Sequence, residues 1–306
     1  MYATEVIMPS GIFNFAGQSR IDAFSLDVGS LLPELCSYDD IMVGRVRMCL
    51  EAIRKHADGF SFWQHRRGAG RPPIEERTFL IAFLLRQLFD ATFRDTEDML
   101  SLLAEHFEID YVPDHTNLVM KNRSRRWTII WKRFHRYVLS LLPKRKTAVA
   151  TDATGFSGRN DTWRGTDYGI RAIQDWIKTH AAIEVDSFFV LGYSLTKSNV
   201  HESQMFEAVW DSLPENIVPV RSLADSAYNG EKCLRVALRH GATPMHRIKR
   251  NARYFKHPET AFSMITRLFG HRLRCRSKIG RKNEVQAKLS MFNVFLLARM
   301  NSISLG

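Results

Sequence analysis

The sequence predicts an α/β protein in which a mainly helical region, residues 1–143, precedes a mixed-sheet domain, residues 144–306. Two observations support this class. Before Pro143 apolar residues recur every three to four positions, and after it short apolar runs alternate with helical segments. The hydrophobic content of 45% and the charged content of 25% are those of a globular protein and exclude disordered and fibrous chains.

Four helices are predicted in the first region. Ile41 to His56 is amphipathic, and Pro72-Pro73 followed by acids opens a second helix that runs through Leu88. Asp95 begins a third, and Pro113-Asp114 precedes a fourth that passes into a basic helix around Trp131. Aromatic residues every three to four positions in this last helix favour a core stripe over base stacking: Trp127, Trp131, Phe134 and Tyr137. Short helices before a basic helix are compatible with a DNA-binding helix-turn-helix.

Five strands are predicted in the second region, and their order is β-β-β-α-β-α-β-α with the helices between them. Three strands come first, the second and third being joined at Asp186-Ser187, and two more alternate with helices. The predicted strands cover 147–152, 178–185, 188–196, 217–223 and 243–248, and the helices cover 201–213, 231–240 and a region from Pro258. This order is that of the RNase H-like folds, which have a mixed sheet.

Positive charge is concentrated in two segments. The net charge is +12, and Lys121 to Lys146 holds ten Lys and Arg without an acid, whereas Arg235 to Lys288 holds fifteen with only Glu259 and Glu284. One such run can be a solvated face, but two runs favour a surface for phosphates, as in nucleic acid. The four cysteines form no CxxC pair, which argues against zinc, and no signal peptide or membrane span is evident. We therefore expect a cytoplasmic, nucleoid-associated protein.

Three acids stand out as candidates for chemistry. Asp152 lies at the first strand, Asp225 lies two residues past the fourth, and Glu259 begins a helix. Each also has an ordinary interpretation, as a turn residue or as compensation of a helix dipole. If the two strands pair, the aspartates converge at one sheet edge, and Glu259 could complete an oxygen site suited to Mg²⁺ or Mn²⁺.

The motifs around these acids resemble the DDE transposases of prokaryotic insertion sequences. The resemblance begins near Gly70 and rests on Asp152-Ala-Thr-Gly-Phe-Ser157, Trp176-Ile-Lys-Thr-His180, Ala224-Asp-Ser-Ala-Tyr228 and Glu259 followed by Phe262 and Phe269-Gly270. Such a member would have an RNase H-like catalytic domain after a DNA-end-binding region. The family usually has an Arg before the Glu and a basic residue seven positions after it, but here Thr266 occupies the latter position. Glu284 is the competing third acid, and Glu259 is preferred because Phe262, Phe269 and Gly270 keep the family register.

The resemblance implies cutting of DNA at element ends and transfer of the 3′-hydroxyl strand to target DNA. Asp152, Asp225 and Glu259 would hold two divalent ions, Mg²⁺ or Mn²⁺, with Asp152 bridging them. The partners would be double-stranded DNA, as terminal inverted repeats and target, and a second copy of the chain as a homodimer on DNA. Further DNA contacts are predicted for Lys178, His180, Lys249, Arg250, Arg253, Arg272, Arg274 and Arg276. The alternative is a non-catalytic DNA-binding protein, or repressor, that retains the scaffold.

Overall fold

A computed structural model describes residues 44–62, 73–158, 176–246 and 259–303 of the chain. Met42–Gly306 forms one compact unit, so the described helical and sheet regions belong to the same body. The predicted boundary at 143/144 lies between the helix that ends at Ser140 and the strand that begins at Arg145. Gly70 to Pro72, which begin the family motifs, lie outside the described residues.

Among the described residues, five helices precede the sheet: α1 (Arg45–Gly59), α2 (Glu76–Leu88), α3 (Phe93–Leu102), α4 (His115–Asn122) and α5 (Arg125–Ser140). The sequence predicts the first three, but it predicts α4 and α5 as one continuous helix. They are separate because Ser124 caps α5, its side chain accepting a hydrogen bond from the Arg126 amide. A capping box of Thr92 and Asp95 likewise begins α3.

The core of the helical region is aromatic. Trp127, Trp131 and Phe134 of α5 are completely buried, and the Trp127 ring meets Phe83 of α2 edge-on, with 4.8 Å between ring centroids. The prediction that this stripe forms core is confirmed for these three residues. The cations of the helix lie outside the core, and three of them are exposed: Arg125, Lys132 and Arg136.

Six strands form one mixed sheet: β1 (Arg145–Gly158), β2 (Ile177–Glu184), β3 (Val190–Lys197), β4 (Ile217–Ala224), β5 (Thr243–His246) and β6 (Arg272–Leu273). Their order is β3-β2-β1-β4-β5, with β6 also paired to β1. The first three strands run antiparallel, and β4 and β5 are parallel to β1 and β4 respectively. This mixed sheet confirms the predicted fold class and is consistent with an RNase H-like domain. The sequence did not predict β6.

In the described part of the chain after β1, four helices accompany the sheet: α6 (Glu202–Trp210), α7 (Glu231–Arg239), α8 (Glu259–Phe269) and α9 (Lys278–Ile303). The 26-residue α9 is the longest helix described, and it packs against α1, α2 and α5 as well as the sheet. Its buried polar residues bind other elements. Asn293, for example, accepts a hydrogen bond from the Val190 amide and donates one to the Val190 carbonyl at the edge of β3. None of the described helices is long and apolar enough to cross a membrane.

Candidate active site

Asp152 lies in β1, and Asp225 directly follows β4, the strand that pairs in parallel with β1. Thr151 of β1 is paired with Ala224 of β4, so each aspartate is the next residue along its own chain. Neighbouring strands lie about 4.8 Å apart, which places the two aspartates side by side. The strand pairing on which the predicted convergence depends is therefore present. The two aspartates lie where β4 ends, and the carboxyl ends of strands are the usual location of sites in open α/β sheets.

Local hydrogen bonds fix both positions. Asp225 caps the short 3₁₀ helix Ser226–Tyr228, because its Oδ1 accepts a hydrogen bond from the Ala227 amide at 2.9 Å. Trp210 of α6 donates its indole hydrogen to Thr151 Oγ1 at 2.9 Å and so fastens α6 to β1 beside Asp152. The ordinary interpretation of Asp225 as a turn residue is thus also correct, and it leaves the Asp225 side chain exposed.

Tyr228 and Glu202 are two further residues of this edge. The Tyr228 side chain is buried, and its pKa is raised first by burial and then by the negative charges of Glu202, Asp152 and Asp225. Glu202, at the beginning of α6, forms an ion pair with Lys178 of β2 at 2.9 Å. The carboxylates of Glu202, Asp152 and Asp225 therefore all lie close enough to the Tyr228 phenol to affect its pKa. Sequence reasoning assigned no role to Tyr228 and treated Glu202 only as the opening of a helix.

The two candidates for the third acid have different settings. Glu259 is the first residue of α8, as predicted, and its side chain lies outside the described part of the structure. Glu284 of α9 is buried, and both of its carboxylate oxygens have partners within the protein: Arg86 Nη2 and the Arg274 amide on Oε1, and the Cys275 amide on Oε2. Glu284 therefore holds the fold together, and we retain Glu259 as the better candidate.

Residues 143–284 match the family of transposase DDE domains. The chain carries a transposase DDE domain. The resemblance to DDE transposases is thereby confirmed, and the matched range contains both aspartates and both candidate glutamates. Such a domain processes nucleic acid and implies DNA as a partner. A comparison with curated proteins finds no match for the chain.

DDE transposases generally use a divalent metal, and the described residues provide part of a suitable site. Asp152 and Asp225 supply the hard oxygen ligands that Mg²⁺ and Mn²⁺ prefer. The Tyr228 hydroxyl beside them is buried and has no hydrogen-bond partner among the described residues. In that part of the chain no group of three or more His, Cys, Asp and Glu could hold a metal ion. The aspartates fit a divalent ion but would need a further ligand.

The residues predicted to contact DNA are divided among several environments. Arg272, Arg274 and Arg276 are all exposed around β6, and Arg274 also forms a two-pronged ion pair with Asp90. Lys178 is engaged with Glu202 and also donates a hydrogen bond to the Val200 carbonyl. The remaining predicted contacts, Lys249, Arg250 and Arg253, lie outside the described residues.

His180 differs from the prediction of a DNA contact. Its side chain is buried in β2, and Nε2 lies 2.8 Å from Thr196 Oγ1 on the neighbouring strand. Burial and the charge of Lys178 lower the pKa of His180 to about 4, so that the ring is neutral at physiological pH. A neutral, buried imidazole supports the sheet and does not present a charge to a phosphate. The sequence pattern shows a basic residue on a strand and does not indicate which face of the sheet it occupies.

Proposed function

We propose that this protein is a transposase that cleaves DNA phosphodiester bonds at element ends with divalent metal and transfers the 3′-hydroxyl strand to target DNA. The observation that carries the proposal is the side-by-side position of Asp152 and Asp225 in a transposase DDE domain. A protein that only binds DNA does not need two neighbouring carboxylates at a sheet edge, where they repel each other and the DNA. The repressor alternative is therefore not favoured.

In this proposal Asp152 and Asp225 hold the metal, and Glu259 supplies the further ligand from the beginning of α8. When bound, two divalent ions activate the attacking water or 3′-hydroxyl and neutralise charge at the phosphate. The Lys178–Glu202 pair keeps a cation beside the same edge. No covalent intermediate with a protein side chain is required.

The basic face of α5 is the proposed DNA-holding surface of the helical region. Arg125, Lys132 and Arg136 are exposed and lie seven and four residues apart, a spacing that places them on one side of the helix. Their opposite side is fixed by the aromatic core. Cations held on a rigid helix can follow a DNA backbone and set affinity without reading sequence. Exposed Arg272 and Arg276 would extend the contact near the site.

The deciding experiment is cleavage of duplex DNA carrying the element's terminal inverted repeats, in Mg²⁺ or Mn²⁺, by the full chain. We expect metal-dependent cleavage and strand transfer by the wild type, and loss of both in Asp152→Asn and Asp225→Asn. Asp186→Asn is the matched control, since Asp186 is an exposed turn aspartate between β2 and β3. If the wild type cleaves no more DNA than the two site variants, the catalytic role is refuted. The alternative of a non-catalytic DNA-binding protein or repressor then remains.

The DNA surface is tested separately by binding. Replacing Arg125, Lys132 and Arg136 by Gln should weaken binding to all duplexes alike and lower the slope of log affinity against log salt by about one for each lost contact. Lys55→Gln, a change at a cation on α1, is the control. An unchanged salt slope would exclude the α5 face from the interface. Sedimentation of the protein with and without end DNA tests the proposed homodimer.

A further inference from the structure

The hydroxyl of Tyr228 is a buried polar group that the described fold leaves unsatisfied. The side chain has no exposed surface, and Oη has no hydrogen-bond partner among the described residues. Burying a hydroxyl without a partner is unfavourable, and native proteins almost always avoid it. Phenylalanine would fill the same space without this cost. We therefore expect the Tyr228 hydroxyl to have a hydrogen-bond partner that does not belong to the described residues.

The ring of Tyr228 is held in place by its surroundings. Its amide donates a hydrogen bond to the Asp225 carbonyl, and its carbonyl lies 3.0 Å from His246 Nδ1. His246 is itself fixed by Ser222, whose Oγ lies 2.8 Å from Nε2. Phe206 packs against the ring, with centroids 5.6 Å apart. The backbone and the ring of Tyr228 are thus held by contacts on several sides, whereas its hydroxyl makes no hydrogen bond to the described residues.

This hydroxyl can act as a hydrogen-bond donor. A tyrosine phenol has an ordinary pKa of about 10, so it carries its proton at neutral pH and has one O–H to donate. A protonated phenol cannot act as an attacking oxyanion, but it can donate to an oxygen that carries negative charge. Carboxylates that hold a metal bring such oxygens to the same edge, as metal-bound water or as phosphate.

We propose that Tyr228 Oη donates a hydrogen bond to an oxygen bound at the edge formed by Asp152 and Asp225, either a water held by the divalent ion or a phosphate oxygen of DNA. This proposal rests on the proposed function and deepens it, because it adds a neutral donor to a site otherwise described by carboxylates. The donor orients the bound oxygen and exchanges no proton or bond with it. Tyr228 thereby becomes a residue that contacts the reacting group directly.

The test is Tyr228→Phe in the full chain, compared with Tyr193→Phe. Tyr193 of β3 is the matched control, because its hydroxyl accepts a hydrogen bond from Gln286 Nε2 at 3.1 Å within the fold. In the metal-free protein we expect Tyr228→Phe to leave the melting temperature unchanged or raised, and Tyr193→Phe to lower it. We expect cleavage of end DNA to fall about tenfold or more in Tyr228→Phe and to remain within twofold of the wild type in Tyr193→Phe.

Two binding measurements identify the accepting oxygen. Mn²⁺ affinity is measured by calorimetry without DNA, and affinity for end DNA is measured in Ca²⁺. Weaker Mn²⁺ binding by Tyr228→Phe without DNA identifies a metal-bound water, and an effect confined to DNA binding or cleavage identifies a phosphate. A lower melting temperature in Tyr228→Phe would show that the hydroxyl has a partner within the protein and would overturn the proposal. It would also be overturned if Mn²⁺ affinity, DNA affinity and cleavage all stayed within twofold of the wild type.

Failure of the proposed function would be recognised independently. In that case wild-type protein and Asp152→Asn would show the same Mn²⁺ affinity and the same absence of cleavage. If Asp152→Asn abolishes cleavage, and Tyr228→Phe alters neither cleavage nor the Mn²⁺ and DNA affinities, the metal site stands and only the role of Tyr228 is refuted.

Discussion

Replacing Arg86 by Met should strongly destabilise the protein. Arg86 of α2 donates through Nη2 to Glu284 Oε1 of α9 at 3.2 Å, and at most 3% of either side chain is exposed. Its guanidinium also lies over the Phe93 ring, 4.3 Å from the centroid. Burial would raise the pKa of Glu284, but Arg86, the Arg274 amide, the Cys275 side chain and Lys288 together lower it. The carboxylate therefore remains ionised only because its partners are present.

The expected cost follows from leaving this charge without Arg86. Breaking a buried pair by removing one partner costs about 3–5 kcal/mol, and the two backbone hydrogen bonds that remain on Glu284 favour the lower value. For a chain of this size that corresponds to a fall in melting temperature of roughly 6–20 °C. Urea unfolding followed by tryptophan fluorescence measures the free energy directly.

The matched control for Arg86→Met is Arg47→Met. Arg47 forms an exposed pair with Glu51 four residues later in α1, and we expect its loss to change the free energy of unfolding by about 0.5 kcal/mol or less. If Arg86→Met costs less than about 1 kcal/mol, the interpretation of Glu284 as a structural acid is refuted, and Glu284 again competes with Glu259 for the metal.

Three further predictions concern stability. Burial lowers the pKa values of three histidines to about 4: His56, His135 and His180. The unfolded chain binds protons at these histidines near pH 6.5, and the folded chain binds them only near pH 4. The free energy of unfolding should therefore fall as the pH drops from about 6.5 to about 4. A free energy of unfolding that does not change with pH in urea titrations would contradict this prediction. Thr92→Ala removes the α3 capping box and should cost about 1 kcal/mol in urea unfolding, whereas Thr116→Ala, inside α4, should cost less. Gly155→Ala places a Cβ 1.7 Å from a Trp176 ring atom and should cost about 1–3 kcal/mol in thermal unfolding, unlike Gly230→Ala, where nothing lies within 4 Å.

The sequence predicts the sheet well because its strands are short apolar runs bounded by turn residues. The five longer strands all form, and the pairing of β1 with β4, which the sequence analysis stated as a condition, brings Asp152 beside Asp225. The two-residue β6 could not be predicted, because so short a strand exists only through its partner β1. The length of α9 was also missed, since its buried residues include Asn283, Lys288 and Asn293, which resemble an exposed face until their partners are known.

The candidate site could be predicted only in part. The positions of the acids relative to the strand ends follow from the sequence. The burial of individual side chains and their hydrogen-bond and ion-pair partners do not. The sequence shows His180 as a basic residue on a strand and does not show that the sheet buries it, nor that Arg274 pairs with Asp90 of the helical region. Tyr228 belongs to a recognised motif, yet its unsatisfied hydroxyl depends on the packing of Phe206 and His246 around it. Such properties arise from residues distant in the chain.

The packing of α9 has a consequence for the distance along a DNA duplex between its contact with α5 and the position of cleavage. One continuous helix lies against both the basic helix α5 and the sheet, and close-packed interfaces of this kind resist sliding. The distance from the exposed cations of α5 to Asp152 and Asp225 is then constant. A duplex gripped at α5 would present its backbone to that edge at a set number of base pairs from the grip.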